Sequence, residues 1–129
     1  MTEQCEIYRC NICQNIAMVM NSGAGELVCC GEKMEKLEEK TKEEMFEKHL
    51  PVLKKDESKH QYIQVGETLH PMTKEHHIKW IEINTDNQKM IKFLDIESEP
   101  VFMIKSDEKI HSAREYCNLH GLWKGIYHE

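Results

Sequence analysis

Six cysteines and eight histidines stand in a chain of 129 residues, and they are grouped rather than scattered. Cys10, Cys13, Cys29 and Cys30 form one group, with Cys5 just upstream. Cys10-Asn-Ile-Cys13 reads as a CxxC knuckle, a turn whose backbone amides point at sulfur while both thiolates reach one ion. Cys29-Cys30 completes a set of four soft ligands, which suits tetrahedral iron or zinc. Gly23-Ala-Gly25 between them allows a sharp chain reversal. The adjacent pair is unusual, because consecutive side chains of an extended strand point to opposite faces, so binding one ion through both implies a distorted tetrahedron. It also departs from zinc ribbons, which use two CxxC knuckles.

A second group lies further on. Cys117 and His120 form a CxxH pair able to reach one ion from a turn, with Gly121 giving the backbone room. A c-type haem would need another cysteine before the histidine, and there is none. His49, His70 and either His76 or His77 are further candidates, each near an expected strand end or loop. Spacing does not choose between the last two, since neighbours in a strand face opposite sides.

The elements that must position these groups follow from patterning. The apolar alternation at Tyr62 to Val65, Ile78 to Ile83 and Val101 to Ile104 has period two and predicts strands. Turn-forming residues recur at short intervals with no long amphipathic helix between them, which points to an antiparallel sandwich. The stretch Glu35 to Glu44 is charged and nearly free of apolar residues, and reads as a solvated linker or an exposed helical turn. The one candidate helix spans Glu38 to Phe46. The expected division is a first domain at 1–36, a linker at 37–44 and a second domain at 45–129. A first domain that small is below the roughly 40 residues at which a core alone holds a fold, so a metal staple is expected.

Composition narrows the function classes. Hydrophobic residues make up 40% and charged residues 31%, with a mean hydropathy of -0.65. Lys plus Arg total 17 against 23 Asp plus Glu, a net charge of -6 that disfavours nucleic acid and anionic membranes as partners. No secretion signal or membrane span is read from the sequence, so a soluble cytoplasmic protein is expected, with its thiols on metal rather than in disulfides.

The run YRCNICQNIAMVMNSGAGELVCCGEKM resembles the desulforedoxin type of rubredoxin-like domain, in which CxxC and CC hold one iron. The remainder resembles desulfoferrodoxin, the two-iron superoxide reductase, through Glu47-Lys48-His49, His70-Pro71-Met72, Glu75-His76-His77-Ile78 and Cys117-Asn118-Leu119-His120-Gly121-Leu122-Trp123. The resemblance covers nearly the whole chain. It implies an all-β protein, a metal-stapled desulforedoxin-like domain followed by an immunoglobulin-like antiparallel β-sandwich. It implies two iron ions per chain, one on Cys10, Cys13, Cys29 and Cys30, the other on an equatorial plane of His49, His70, His76 and His120 with axial Cys117 and an open sixth position. The family pattern Glu-His-x-Ile selects His76, leaving His77 pointing away and His60, His111 and His128 in solvent.

By the same resemblance the activity is one-electron reduction of superoxide to hydrogen peroxide, an oxygen detoxification in an anaerobe-type cytoplasm. Lys48 draws in the anion and supports protonation, and Glu47 can occupy the vacant position once iron is ferric. A rubredoxin-like donor and a homodimer are family expectations as well. Trp80, Tyr116 and Trp123 are expected in the core or lining the pocket, and Cys5 is given no ligand role. Two other readings compete: a rubredoxin-like electron carrier whose second domain is a docking module, and a zinc-stapled binding protein without redox chemistry.

Overall fold

The computed structural model describes residues 1–42 and 49–128. Backbone contacts divide the chain into two compact units, Met1–Glu38 and Glu39–Glu129. All strand pairs are antiparallel, and no helix occurs among the described residues. None is therefore long and apolar enough to cross a membrane.

The first unit has a three-stranded sheet of β2 (Ile16–Met18), β1 (Ile7–Arg9) and β5 (Glu35–Lys36), and a hairpin of β3 (Val28–Cys29) and β4 (Glu32–Lys33). Its buried apolar residues are Ile7, Cys10, Val19 and Leu37. So small a core accords with the expectation that a metal staples the unit.

The second unit packs the sheet β10 (Val101–Met103), β7 (Gln61–Val65), β6 (Pro51–Lys55) against the sheet β12 (Gly121–Ile126), β11 (Ile110–Cys117), β8 (Ile78–Thr85), β9 (Lys89–Phe93). Ile63 and Val65 from the first sheet and Ile78, Ile81, Ile83, Ala113 and Cys117 from the second fill the space between them.

Strict alternation would put Ile78 and Ile81 on opposite faces, yet both are fully buried in the same cluster. A bulge reconciles them: Tyr116 faces Trp80 and Cys117 faces Ile78, so Lys79 is extra and the side-chain parity resets. The irregularity adjoins Cys117 and re-aims the end of β11.

The candidate helix from Glu38 to Phe46 is not found at residues 38–42, and residues 43–48 lie outside the described part. Long-range interactions compete with helix there. Lys40 N–H donates to Leu122 O at 2.9 Å and Lys40 O accepts from Lys124 N–H at 2.8 Å, laying the segment against β12. Glu39 meets the buried Arg114 at 3.0 Å. Within the stretch expected as a linker, Leu37 is buried in the first unit, and Glu39 and Lys40 belong to the second.

Candidate metal centres

The first centre is built on two turns. Cys10 directly follows β1, Gln14 N–H donates to Cys10 O at 2.9 Å, and Cys13 N–H points at Cys10 Sγ at 3.5 Å. That backbone donor is the main reason the Cys10 thiol is lowered to about 7. The adjacent cysteines are resolved by a turn rather than a strand. Val28 pairs with Lys33 and Cys29 with Glu32, leaving Cys30 and Gly31 as a two-residue loop with φ of 54° and 78°. Both positive values mark a type I′ hairpin, which swings Cys30 out of strand alternation so that both thiols face one point. The expected reversal at Gly23-Ala-Gly25 does not use glycine's freedom, because neither glycine has a positive φ; Cys30 and Gly31 make the left-handed step.

The ligand atoms of Cys10, Cys13, Cys29 and Cys30 all lie within 4.8 Å of one another. Cys13 Sγ and Cys29 Sγ are 3.6 Å apart, and Cys29 Sγ and Cys30 Sγ 3.9 Å. A tetrahedral ion with metal–sulfur bonds of about 2.3 Å has sulfur–sulfur edges of about 3.8 Å, so the spacing fits. Crowding opposes four thiolates without a cation: the contact with Cys13 leads in pushing Cys30 up to about 12. Cys5 is outside this group.

The second centre gathers side chains from three connections of the sandwich. His49 precedes β6, His70 and His76 lie in the loop between β7 and β8, and Cys117 and His120 flank the β11–β12 turn. The ligand atoms of His49, His70, His76 and Cys117 lie within 4.8 Å of one another. His120 joins them: its Nδ1 is 2.9 Å from His49 Nε2 and 3.9 Å from Cys117 Sγ.

The imidazoles form a four-cornered ring. Centroid separations run 4.9 Å from His49 to His70, 4.4 Å to His76, 4.9 Å to His120 and 4.7 Å back to His49, with a His49–His76 diagonal of 6.1 Å. Neighbouring rings stand edge to face, which suits four nitrogens converging on one centre. Two nitrogens at right angles on one ion, each about 2.1 Å from it, stand about 3.0 Å apart, as the His49–His120 pair does. Cys117 Sγ is 3.7 Å from His70 Nε2 and 3.9 Å from His120 Nδ1, so sulfur lies near two opposite corners.

The surroundings prepare these side chains. His70 Nδ1 contacts Pro71 O at 2.7 Å, which puts the proton there and leaves Nε2 with its lone pair facing the centre. Burial, then the charges of His70, His120, His76 and Lys40, lower His49 to about 4, so it is neutral at physiological pH. Burial pushes the Cys117 thiol up, opposed by the backbone N–H groups of Leu119 and His120.

His77, the alternative left open by spacing, turns Nδ1 to Thr73 O at 2.9 Å and is not in the ring. His60 lies against Asp56 and His111 against Asp86. Trp123 stacks on His49 at 4.7 Å, while Trp80 and Tyr116 stack on each other. Glu47 and Lys48 lie outside the described residues. Sequence reasoning missed Lys40, whose Nζ donates to His120 O at 2.7 Å, and Asn118, which bridges to Glu75 and His77.

Comparison with known proteins places this geometry in context. The family model for desulfoferrodoxin matches residues 40–126, and that for the desulfoferrodoxin N-terminal domain matches residues 2–37. The chain is 45% identical over 126 residues to a desulfoferrodoxin of Nitratidesulfovibrio vulgaris, covering 96% of this chain and 98% of that one. It is 44% identical over 127 residues to a desulfoferrodoxin homolog of Archaeoglobus fulgidus, with coverage of 96% and 98%. Among solved structures it is similar to the superoxide reductase from Treponema pallidum, with a TM-score of 0.74, 28% identity, and coverage of 93% of this chain and 96% of that one.

Proposed function

From the premise that the chain belongs to the desulfoferrodoxin family, we propose that it is a superoxide reductase with two iron ions, reducing superoxide by one electron to hydrogen peroxide at the second centre. The observation that carries this is the convergence of four imidazoles and one cysteine sulfur on one point. When bound, iron supplies the electron and an open coordination position for the anion. In this reading His49, His70, His76, His120 and Cys117 would hold that iron.

The ligand types fit the task. Neutral imidazoles and one thiolate leave a ferrous centre one positive charge, which attracts a small anion in a chain of net charge -6. The Cys117 thiolate would donate electron density to a bound iron. His70 is held in the tautomer that presents Nε2, so it needs no proton rearrangement to bind. Lys48 and Glu47, beside His49 in sequence, are proposed to draw in superoxide and support protonation, and to occupy the open position in the ferric state.

The reading further assigns the four-thiolate iron to a first domain at 1–36 as relay or staple, joined by residues 37–44 to a catalytic domain at 45–129. It includes a rubredoxin-like donor, a homodimer and a cytoplasmic setting, supported by family membership and by the first unit's small core.

The test is a metal count with an optical spectrum before and after a mild reductant, together with superoxide consumption. Two irons per chain and a ferric charge-transfer band that disappears in Cys117→Ser are expected. Zinc alone, or a loaded protein unable to make peroxide, would refute the proposal. Lys48→Ile should slow the bimolecular reaction and flatten its salt dependence, whereas Glu47→Ala should change mainly the ferric spectrum.

A further inference from the structure

One cation beside the second centre has no part in that account. Lys40 is anchored through its main chain, with N–H on Leu122 O at 2.9 Å and O on Lys124 N–H at 2.8 Å. The parallel bridge to Trp123 fixes where its side chain starts. Nζ then donates to the carbonyl of His120 at 2.7 Å, 80 positions away in the chain. Nζ also lies 5.3 Å from the centroid of the Trp123 ring. That ring stacks on His49 at 4.7 Å and 14°, and its Nε1–H donates to the same His120 carbonyl at 3.1 Å.

Two donors thus hold one carbonyl of the ligand turn, and a positive charge stands at that carbonyl and over the ring that stacks on His49. The neighbouring Glu39 does not neutralise that charge by default, because Arg114 engages it at 3.0 Å and Lys124 at 3.6 Å. The Lys40 ammonium touches the His120 carbonyl and lies over the ring that stacks on His49. Gly121 adds a fit: a Cβ there would sit 3.7 Å from Nζ, in ordinary contact, so the ammonium rests directly over the turn.

We propose that Lys40 is the positioning residue and fixed cation of the second iron centre, holding His120 through its carbonyl while its charge favours the ferrous state and draws superoxide to the open face. The proposal rests on the superoxide reductase reading. The step it assists is balanced: superoxide takes one electron from ferrous iron and two protons from solvent to give hydrogen peroxide, and iron becomes ferric. A nearby positive charge opposes the gain of charge at iron, so it raises the reduction potential. The same charge concentrates the anionic substrate, an effect that salt screens.

The experiment compares the full iron-loaded chain with Lys40→Met, Lys40→Gln and Lys40→Arg. The readouts are iron content, the reduction potential followed on the ferric charge-transfer band, and the bimolecular rate with pulsed superoxide at several ionic strengths. Lys40→Met is expected to lower the potential, slow the reaction by roughly two- to five-fold at low salt and flatten the salt slope. Lys40→Arg should restore all three. Lys40→Gln removes charge but keeps a donor, so it should show the lowered potential and flat slope with iron content nearer the wild type, and it serves if the Met variant folds poorly. Wild-type potential and salt slope in both uncharged variants, or no recovery with arginine, would overturn the proposal. Wild-type protein unable to reduce superoxide would instead overturn the reading beneath it.

Discussion

The side-chain amide of Asn118 closes around His76: Nδ2 donates to Glu75 O at 2.9 Å and Oδ1 accepts from His77 N–H at 2.9 Å. The main chain adds a third bond, from Asn118 N–H to His77 O at 3.1 Å. The residue after Cys117 therefore locks the loop that carries His76, tying two ligand-bearing connections together. Asn118→Ala should weaken metal binding at the second centre by about 10- to 100-fold, as removal of such supports does, while the first centre keeps its affinity. Competition with a chelator, read at each centre's own absorption, checks this. Asn118→Asp keeps the acceptor for His77 but not the donor to Glu75, and should fall between.

The first hairpin depends on a left-handed step. Gly31 has a φ of 78° and no atom within 4 Å of a built Cβ, so Gly31→Ala costs backbone strain without a clash. A loss of about 1–2 kcal/mol is expected, confined to the first unit. Chelator should then remove the four-thiolate iron faster and leave superoxide reduction by an artificial donor unchanged. Cys13→Ser should show the same separation more severely, and total loss of turnover would contradict independent centres.

Glu82 and Arg114 form a buried pair in the four-stranded sheet, with contacts of 2.6 Å and 2.7 Å, and Lys89 lies 3.1 Å from the same carboxylate. Burial alone would raise the Glu82 carboxyl, but the hydrogen bond and charge of Arg114 outweigh it and hold the group below its ordinary value of 4.5. Because the folded value is the lower one, the pair's contribution is complete above pH 4.5 and fades as pH falls further. Glu82→Gln should cost about 3–5 kcal/mol at neutral pH by leaving Arg114 undercompensated, and should flatten the acid limb of the stability profile. Denaturant melts from pH 7 downward test both.

Gly125 has no room for a side chain: an added Cβ would meet Pro51 O at 2.5 Å and Tyr127 Oη at 2.8 Å. Gly125→Ala must push apart the Tyr127 Oη–Pro51 O hydrogen bond of 2.6 Å, costing about 1–3 kcal/mol. Pro51 lies two residues from His49, so the variant should also load less iron at the second centre than its stability loss alone would produce. Iron per chain measured at full folding distinguishes the two effects.

The reach of the sequence can be judged residue by residue. The alternation at Ile63, Val65, Ile81 and Ile83 was legible because those positions share one buried face. Ile78 was not, because the bulge that restores its orientation arises from pairing with β11, a partner remote in the chain. The thiolate group showed in its residue types, but the geometry of Cys29-Cys30 depends on a non-glycine residue adopting a positive φ, which propensity disfavours. His76 and His77 are equivalent by spacing, and only the ring contacts and the Thr73 hydrogen bond distinguish them. Lys40 carried no local signal, since its side chain's partners among the described residues, His120 and Trp123, lie about 80 positions away.

Because the five converging side chains hang from three separate connections, filling their centre would rivet the two sheets of the sandwich together at one end. Emptied, that seam would be held only by ordinary packing, and unzipping should start there. Copies that never acquired their metal would then be nicked first by proteases at the segments around His49 and His76, so that quality control and cofactor loading read the same joint.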